Sequence, residues 1–240
     1  FNSDPIFKES GFKNNYKMML SNPNSLKQNS SNTNEDKQRI LSSFLFESSY
    51  PLKKETEKNI DYFTPILQLR YSPNETTNIR NLDRRIDISN IYSFERISSA
   101  NTVEGGQSLT VGTGYRRTDK NDNELISLNL GSVFRDETNE DLPTKSTIGN
   151  KSSDIVGNLV LKPNSFIDFK YDFSMDNTLD RSNYDSFEAT FSANNFVTSF
   201  EYLEENNIIG SESFIANKTS INFNESNSIK FNTRKNKKTD

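Results

Sequence analysis

Hydrophobic and polar residues alternate with a period of two along most of this chain. The clearest example is 167–173, IDFKYDF, in which every second side chain is apolar and the intervening ones are charged. A β-strand sends alternate side chains to opposite faces, whereas a helix would mix the two sets around its circumference. The segment is therefore predicted to be a strand with one apolar and one charged face.

The same alternation, in clear or weaker form, predicts further strands on both sides of this one. They lie at 43–50, 66–71, 86–94, 109–116, 125–134, 155–162, 186–193, 196–203, 213–223 and 228–234. With 167–173 they amount to about eleven strands, within the accuracy of interpreting a single sequence. The pattern predicts an all-β fold, an antiparallel up-and-down meander.

Short and long connections alternate in the second half of the chain. Tight turns are predicted around 163–165, 194–195 and 224–226, and longer polar connections separate them. Tight turns at one rim and long loops at the other are typical of transmembrane β-barrels. We predict one domain over 1–240, with polar loops at 21–38, 136–153 and 204–212.

Two physical settings fit a meander with one polar face. In a soluble sandwich the apolar face is buried and the polar face meets water. In an outer-membrane barrel the apolar face meets lipid and the polar face lines a wet interior. Strands of about 9–11 residues match the length that a tilted strand needs to cross a bilayer. Aromatic residues near strand ends, such as Tyr50, Tyr71 and Phe134, also favour the barrel.

The amino-acid composition limits the kinds of catalytic and metal-binding site that this chain could form. The 240 residues include no Cys, His or Trp, so the usual general bases, nucleophile partners and soft metal ligands are missing. We expect no enzyme, no cofactor and no metal site. The 29 basic and 33 acidic residues are well mixed, with no basic stripe for nucleic acid. The chain begins with Phe1, and we interpret it as an internal fragment.

A polar run with Arg96, Glu104 and a glycine pair precedes the strand at 109–116. One face of that strand is almost bare because it carries Gly112 and Gly114. No predicted helix follows, so these glycines do not form a phosphate loop. Glycine on one face of a strand indicates close approach of another group or room for another body. We expect the Arg96–Glu104 segment to fold over a rim and fix strand register by charge pairing.

This stretch resembles the barrel domain of the LptD family, the LPS-assembly or organic-solvent-tolerance proteins. The family hallmark is an N-[LI]-[FY]-S tetrapeptide, an arginine, an acidic E-x-G and a G-x-x-Y strand. Further similarity lies in a downstream S-D-x-V-G…P hairpin, whereas Thr102 and Ser132 depart from the family pattern. The matching positions are Asn90, Tyr92, Ser93, Arg96, Glu104, Gly106, Gly112, Tyr115, Ser153, Asp154, Gly157 and Pro163.

The resemblance implies a barrel in the outer membrane of Gram-negative bacteria. Such a barrel receives lipopolysaccharide from a periplasmic bridge through an N-terminal domain and inserts it into the outer leaflet. An LptE-like lipoprotein would plug the lumen, and Gly112, Gly114 and Gly131 would leave space for the plug or the cargo. The residues expected to face the lumen are Gln68, Arg70, Asp168, Lys170 and Asp172.

The resemblance also sets limits on what is expected. The closing strands are expected to be missing, which predicts a partial barrel that is incompletely closed. A passive porin-like channel shares every strand feature and differs only in the hallmark positions. A soluble β-rich surface or adhesin domain is the third interpretation of the same alternation.

Overall fold

A computed structural model describes residues 1–27, 35–38, 40–98, 102–206, 212–224 and 227–237. These residues form fifteen strands and one short 3-10 helix, Thr147–Gly149. The strands are β1 Ile6–Phe7, β2 Lys13–Ser21, β3 Asn24–Lys27, β4 Glu35–Gln38, β5 Leu41–Ser49, β6 Leu52–Glu55, β7 Asn59–Ser72, β8 Gly106–Asp119, β9 Glu124–Arg135, β10 Ile155–Asn164, β11 Ile167–Met175, β12 Ser182–Ala193, β13 Phe196–Glu205, β14 Ser213–Asn224 and β15 Asn227–Asn236.

Thirteen of these strands form one antiparallel sheet in the order β1-β2-β5-β7-β8 and then consecutively to β15, with β6 also paired to β7. Neighbours in sequence are neighbours in the sheet, which confirms the all-β up-and-down prediction. Within the described residues no ladder joins β1 to β15, so hydrogen bonds do not close the sheet. None of the described segments forms a helix of the length and hydrophobicity that crossing a membrane requires.

The strand count differs from the prediction of about eleven. Strands β1, β2, β3, β4 and β6 lie outside the predicted windows, and β3 and β4 pair within 21–38, which was predicted to be a polar loop. The strand predicted at 86–94 is wrong, because this segment consists of turns. There the Asp87 carboxylate accepts hydrogen bonds from the backbone N–H groups of Ser89 and Asn90. Such local bonds compete with a strand ladder.

Pro65 lies inside β7, although proline cannot donate a hydrogen bond to a ladder. Its carbonyl accepts the Tyr50 N–H at 3.1 Å. Tyr50 lies between β5 and β6, where the pairing on that side of β7 is interrupted. The missing donor of Pro65 therefore falls at a break in the sheet.

The two faces of the main sheet have different surroundings. On one, which we call the apolar face, large hydrophobic side chains remain exposed. They include Leu67, Leu69, Tyr71, Val111, Phe134, Phe187, Phe191, Phe200 and Ile215. The opposite face, which we call the capped face, is covered in part by two connections of the chain itself.

The described residues of these connections, 73–98, 102–105 and 136–153, together form what we call the cap. Their backbones bond to each other, for example from Ile79 N to the Asp141 carbonyl at 2.8 Å. Apolar cap residues pack on Val133 and Val156 of the sheet, and full burial of each such side chain contributes about 1.5–3 kcal/mol. The buried cap residues of this cluster are Ile86, Ile91, Ile97, Leu142 and Ile148. The principal hydrophobic core therefore lies between the cap and the sheet.

Candidate functional site

The pairing register brings two arginines onto one row of the capped face. Arg70 of β7 is paired with Ser108 of β8, and Ser108 is paired with Arg135 of β9. Strands lie about 4.8 Å apart, so the two arginine Cα atoms are roughly 10 Å apart with the small serine between them. This gap is filled by charged residues of the cap.

Arg96 and Glu104 of the cap occupy the space over Ser108. The Arg96 guanidinium forms a two-pronged ion pair with the Glu104 carboxylate, with Nε donating to Oε2 at 2.9 Å. Arg96 also donates to the hydroxyl groups of Ser108, at 2.7 Å, and Thr110, at 3.2 Å. The expected charge pair between Arg96 and Glu104 is therefore present, and the bonds of Arg96 to Ser108 and Thr110 join it to the sheet.

The Glu104 carboxylate also contacts both strand arginines. Arg135 Nη2 forms an ion pair with Oε1, and Arg70 Nη1 lies 3.9 Å from Oε2. We call these four residues, Arg70, Arg96, Glu104 and Arg135, the arginine cluster. Three guanidinium groups face one carboxylate, and backbone carbonyls accept other N–H groups: Arg70 Nε donates to Phe94 O at 3.2 Å and Arg135 Nε to Ile148 O at 3.0 Å.

Burial of the arginine cluster and the charges within it determine the protonation state of Glu104 and the strength of its ion pairs. The four side chains are at most 3% exposed, so water screens them little. Burial alone would raise the pKa of the Glu104 carboxyl, but Arg96, Arg135 and Arg70 outweigh it and hold that pKa well below its usual range. Glu104 is therefore ionised. Removing one member of such a buried pair leaves an uncompensated charge.

Tyr92 explains the bare face of β8. Its hydroxyl donates to the Leu130 carbonyl of β9 at 3.0 Å, and its ring end lies directly over Gly112. A Cβ at Gly112 would clash with this hydroxyl, and a Cβ at Gly131 would lie 2.8 Å from Ile91 Cδ1. The expectation that these glycines leave space for a plug or cargo is therefore corrected, because the cap fills the space at both positions. Burial raises the pKa of Tyr92 to about 12, so its hydroxyl stays protonated as a donor.

Gln68 and Arg70 do not line an open interior, contrary to the expectation from the sequence. Gln68 is 1% exposed and Arg70 is 3% exposed, because the cap covers both. The Gln68 amide donates to the Tyr92 carbonyl at 3.0 Å and to Glu47 at 3.2 Å. Both residues lie on the predicted face, and they anchor the cap to β7.

Asp168, Lys170 and Asp172 lie on the capped face of β11 but outside the arginine cluster. Lys170 is exposed, and the two aspartates are half-buried. Lys162 Nζ lies 3.5 Å from Asp168 Oδ2. The structure thus separates the five residues predicted to face a lumen into two covered ones and a group of three that is more accessible.

The remaining family-motif positions have separate structural roles. Asn90 donates to the Arg85 carbonyl at 2.8 Å, and the Ser93 hydroxyl contacts Glu95 O, so both shape turns of the cap. Tyr115 lies on the apolar side of β8 and donates to Asp61. Gly106 opens β8 with φ of 81°, a value that favours glycine.

The downstream motif fastens the end of the second cap segment. The Ser153 hydroxyl accepts the Val133 N–H at 2.9 Å. Asp154 accepts the Ser174 hydroxyl at 2.7 Å and the Asn183 amide at 2.9 Å, which ties this segment to β11 and β12. Gly157 lies against Leu130 and Phe173. Pro163 lies in β10, where the register between Leu161 and Asn164 is irregular.

Arg85 is a cap residue that the sequence pattern does not reveal. Its guanidinium stacks over the Tyr184 ring at 3.7 Å and pairs with Glu205 at 2.9 Å. The cap therefore extends from β5 and β7 to β12 and β13. Its only local signal is a position in an arginine pair, Arg84–Arg85, which does not indicate a partner 120 residues away.

Comparison with known proteins completes the description of this site. In the part of the chain that the structure describes, no three His, Cys, Asp or Glu residues could together hold a metal ion. No curated protein matches the chain. A family profile described as LPS transport system D matches residues 10–232, which includes the cap, the arginine cluster and nearly all of the main sheet. The chain therefore belongs to the LptD family, which serves lipopolysaccharide transport and outer-membrane assembly.

Proposed function

We propose that this chain is the barrel part of a translocon in the outer membrane of a Gram-negative bacterium. In this proposal it receives lipopolysaccharide from the periplasm and inserts it into the outer leaflet. The observation that carries the proposal is the family match over a long antiparallel sheet whose apolar face exposes large hydrophobic side chains.

The apolar face supports a membrane location. Soluble monomers rarely expose contiguous apolar patches larger than a few hundred Å². Here large apolar side chains remain exposed on β5 to β9 and again on β12 to β15. In a barrel these side chains contact acyl chains, and the opposite face encloses solvent.

The capped face supports passage of a polar cargo. Movement of a lipid makes and breaks no covalent bond, so the role needs neither a nucleophile nor a general base.

An LptE-like lipoprotein inside the barrel and a periplasmic bridge that delivers the lipid are partners in this proposal. The family match and the polar character of this face support them.

Depletion of the full-length protein, followed by an assay of lipopolysaccharide at the cell surface, tests the proposal. The translocon role predicts loss of newly made lipopolysaccharide from the surface and its accumulation inside the envelope. Normal surface levels together with slower uptake of small solutes would instead support a passive porin-like channel. Recovery of the protein in the aqueous fraction would support a soluble surface domain.

A further inference from the structure

Four charged residues form a line across neighbouring strands of the capped face. Lys170 of β11 is paired with Glu188 of β12, and Glu188 is paired with Glu201 of β13. Lys218 of β14 reaches Glu201 with Nζ 2.5 Å from Oε1. We call this line, Lys170, Glu188, Glu201 and Lys218, the charged row. It is electrically neutral.

The centre of the charged row is unfavourable for folding. Glu188 and Glu201 lie directly opposite each other on adjacent strands, and like charges in that position destabilise a sheet. Lys218 contacts Glu201, whereas the Glu188 carboxylate accepts the Thr190 hydroxyl at 3.3 Å. A pair of like charges at the centre of a sheet face fits a face that meets water or a polar ligand, because both carboxylates can then be solvated.

The described residues of the cap leave the charged row accessible, although Arg85 and Asp87 approach Asp172, two residues from Lys170 on β11. The contacts of Arg85 with β12 and β13 are made through Tyr184 and Glu205, each four residues along its strand from the row. At about 3.3 Å per residue this separation is roughly 13 Å. Lys170 and Lys218 are exposed, and the two glutamates are half-buried.

The arginine cluster has the opposite properties. It holds the densest positive charge on this face, but its side chains are at most 3% exposed and already bonded to Glu104 and to backbone carbonyls. An anionic group could reach these guanidinium groups only by displacing the cap and its apolar core. Positive charge alone therefore does not mark the ligand site on this face.

We propose that the charged row is the contact surface for the phosphate-bearing sugar headgroup of the cargo, and that the arginine cluster is not. The two lysines present ammonium groups to phosphates, and the two glutamates accept hydrogen bonds from sugar hydroxyls. This assignment rests on the proposed transport function. It adds to that function the strands, β11 to β14, over which the headgroup moves.

Single introduced cysteines test the assignment, because these 240 residues contain none, and labelling of the parent protein is subtracted as background. Glu188→Cys and Glu201→Cys report on the row, and Ser127→Cys of β9 is a matched control, half-buried on the same face. The full-length protein is placed in phospholipid vesicles and labelled with a charged thiol reagent. Labelling rates are compared without additive, with purified lipopolysaccharide and with inorganic phosphate.

The expected result is that lipopolysaccharide slows labelling several-fold at positions 188 and 201 and leaves position 127 unchanged. The additional changes Lys170→Gln and Lys218→Gln are expected to abolish this protection. Equal protection at all three positions, protection at none, or equal protection by inorganic phosphate would overturn the assignment. If depletion of the protein removes surface lipopolysaccharide but the cysteines stay unprotected, only this contact surface is wrong. Normal surface lipopolysaccharide after depletion would reject the proposed function itself.

Discussion

The Tyr92 hydroxyl occupies the space that a side chain at Gly112 would need. The ring comes from the cap and the glycine from β8, and the hydroxyl continues past Gly112 to bond the Leu130 carbonyl of β9. The cap therefore packs directly against the part of β8 that has no side chain. Part of the polar face of this sheet is thus already occupied by the chain's own connections.

This contact predicts that Gly112→Ala destabilises the protein by about 1–3 kcal/mol, because the added methyl group would clash with the Tyr92 side chain. Tyr92→Phe removes the hydroxyl and its hydrogen bond, which contributes about 0.5–1.5 kcal/mol. Because Tyr92→Phe removes the oxygen atom that a methyl group at position 112 would strike, the double variant should be more stable than the sum of the single effects predicts. Urea unfolding in lipid vesicles measures all three. Strict additivity would contradict the contact.

Glu104→Gln should destabilise the protein by about 3–5 kcal/mol, because three buried guanidinium groups lose the carboxylate with which all of them form ion pairs. Glu75→Gln is the matched control, because Glu75 belongs to the same connection but is exposed. Its effect should stay within about 0.5 kcal/mol. Comparison of the unfolding midpoints checks this, and equal effects of the two changes would show that the arginine cluster does not hold the cap.

The same carboxylate predicts a pH dependence. The pKa of Glu104 in the folded state lies well below its ordinary value of 4.5. As the pH falls below about 4.5, Glu104 of the unfolded chain therefore becomes protonated while Glu104 of the folded protein remains ionised. The stability contributed by Glu104 is therefore fully present above about pH 5 and is lost as the pH falls further. The difference in unfolding free energy between the wild type and Glu104→Gln should be constant from pH 5 to 8 and should shrink below about pH 4.5. A difference that grows on acidification would reverse the sign and contradict the account.

Arg85 should fasten the far corner of the cap. Arg85→Ala removes the stack on Tyr184 and the ion pair with Glu205 and should cost about 1–2 kcal/mol. Arg85→Lys should recover only part of this loss, because an ammonium group lacks the planar stack. Arg80→Ala is the control, since Arg80 pairs at 3.6 Å with an almost fully exposed Glu140. Limited proteolysis of 73–98 is the measurement, and equal cleavage of the Arg85→Ala and Arg80→Ala variants would contradict this role.

The alternating pattern was sufficient to predict ten of the strands, namely β5 and the nine from β7 to β15. Period-two alternation can be recognised within a single segment, without knowledge of its partners in the sheet. It did not predict β2, where Met19 adds an apolar residue to the polar side. It wrongly extended to 86–94, because Ile86 and Ile91 are apolar for a different reason: both belong to the cap and pack against the sheet. Local periodicity cannot distinguish these two kinds of burial.

The site was predictable only in part. The sequence showed Arg96 and Glu104 eight residues apart, and a charge pair between them was expected. Their meeting with Arg70 and Arg135 depends on the registers of β7, β8 and β9, which bring residues far apart in sequence onto one row. The same registers place Gln68 beneath the cap. Its polarity therefore predicted the correct face of the sheet, but the prediction that it faces an open interior was wrong.

The central claim is that the apolar face of this sheet contacts lipid while the opposite face contacts water. These 240 residues contain no tryptophan, so Phe169→Trp and Lys170→Trp each add one indole to the full-length protein, on opposite sides of β11, and the fluorescence of the parent protein is subtracted. In vesicles of brominated phospholipid, the fluorescence of Phe169→Trp should be strongly quenched, and that of Lys170→Trp should be quenched instead by a water-soluble agent. Equal behaviour of the two variants, or protection of position 169 from both quenchers, would contradict the account.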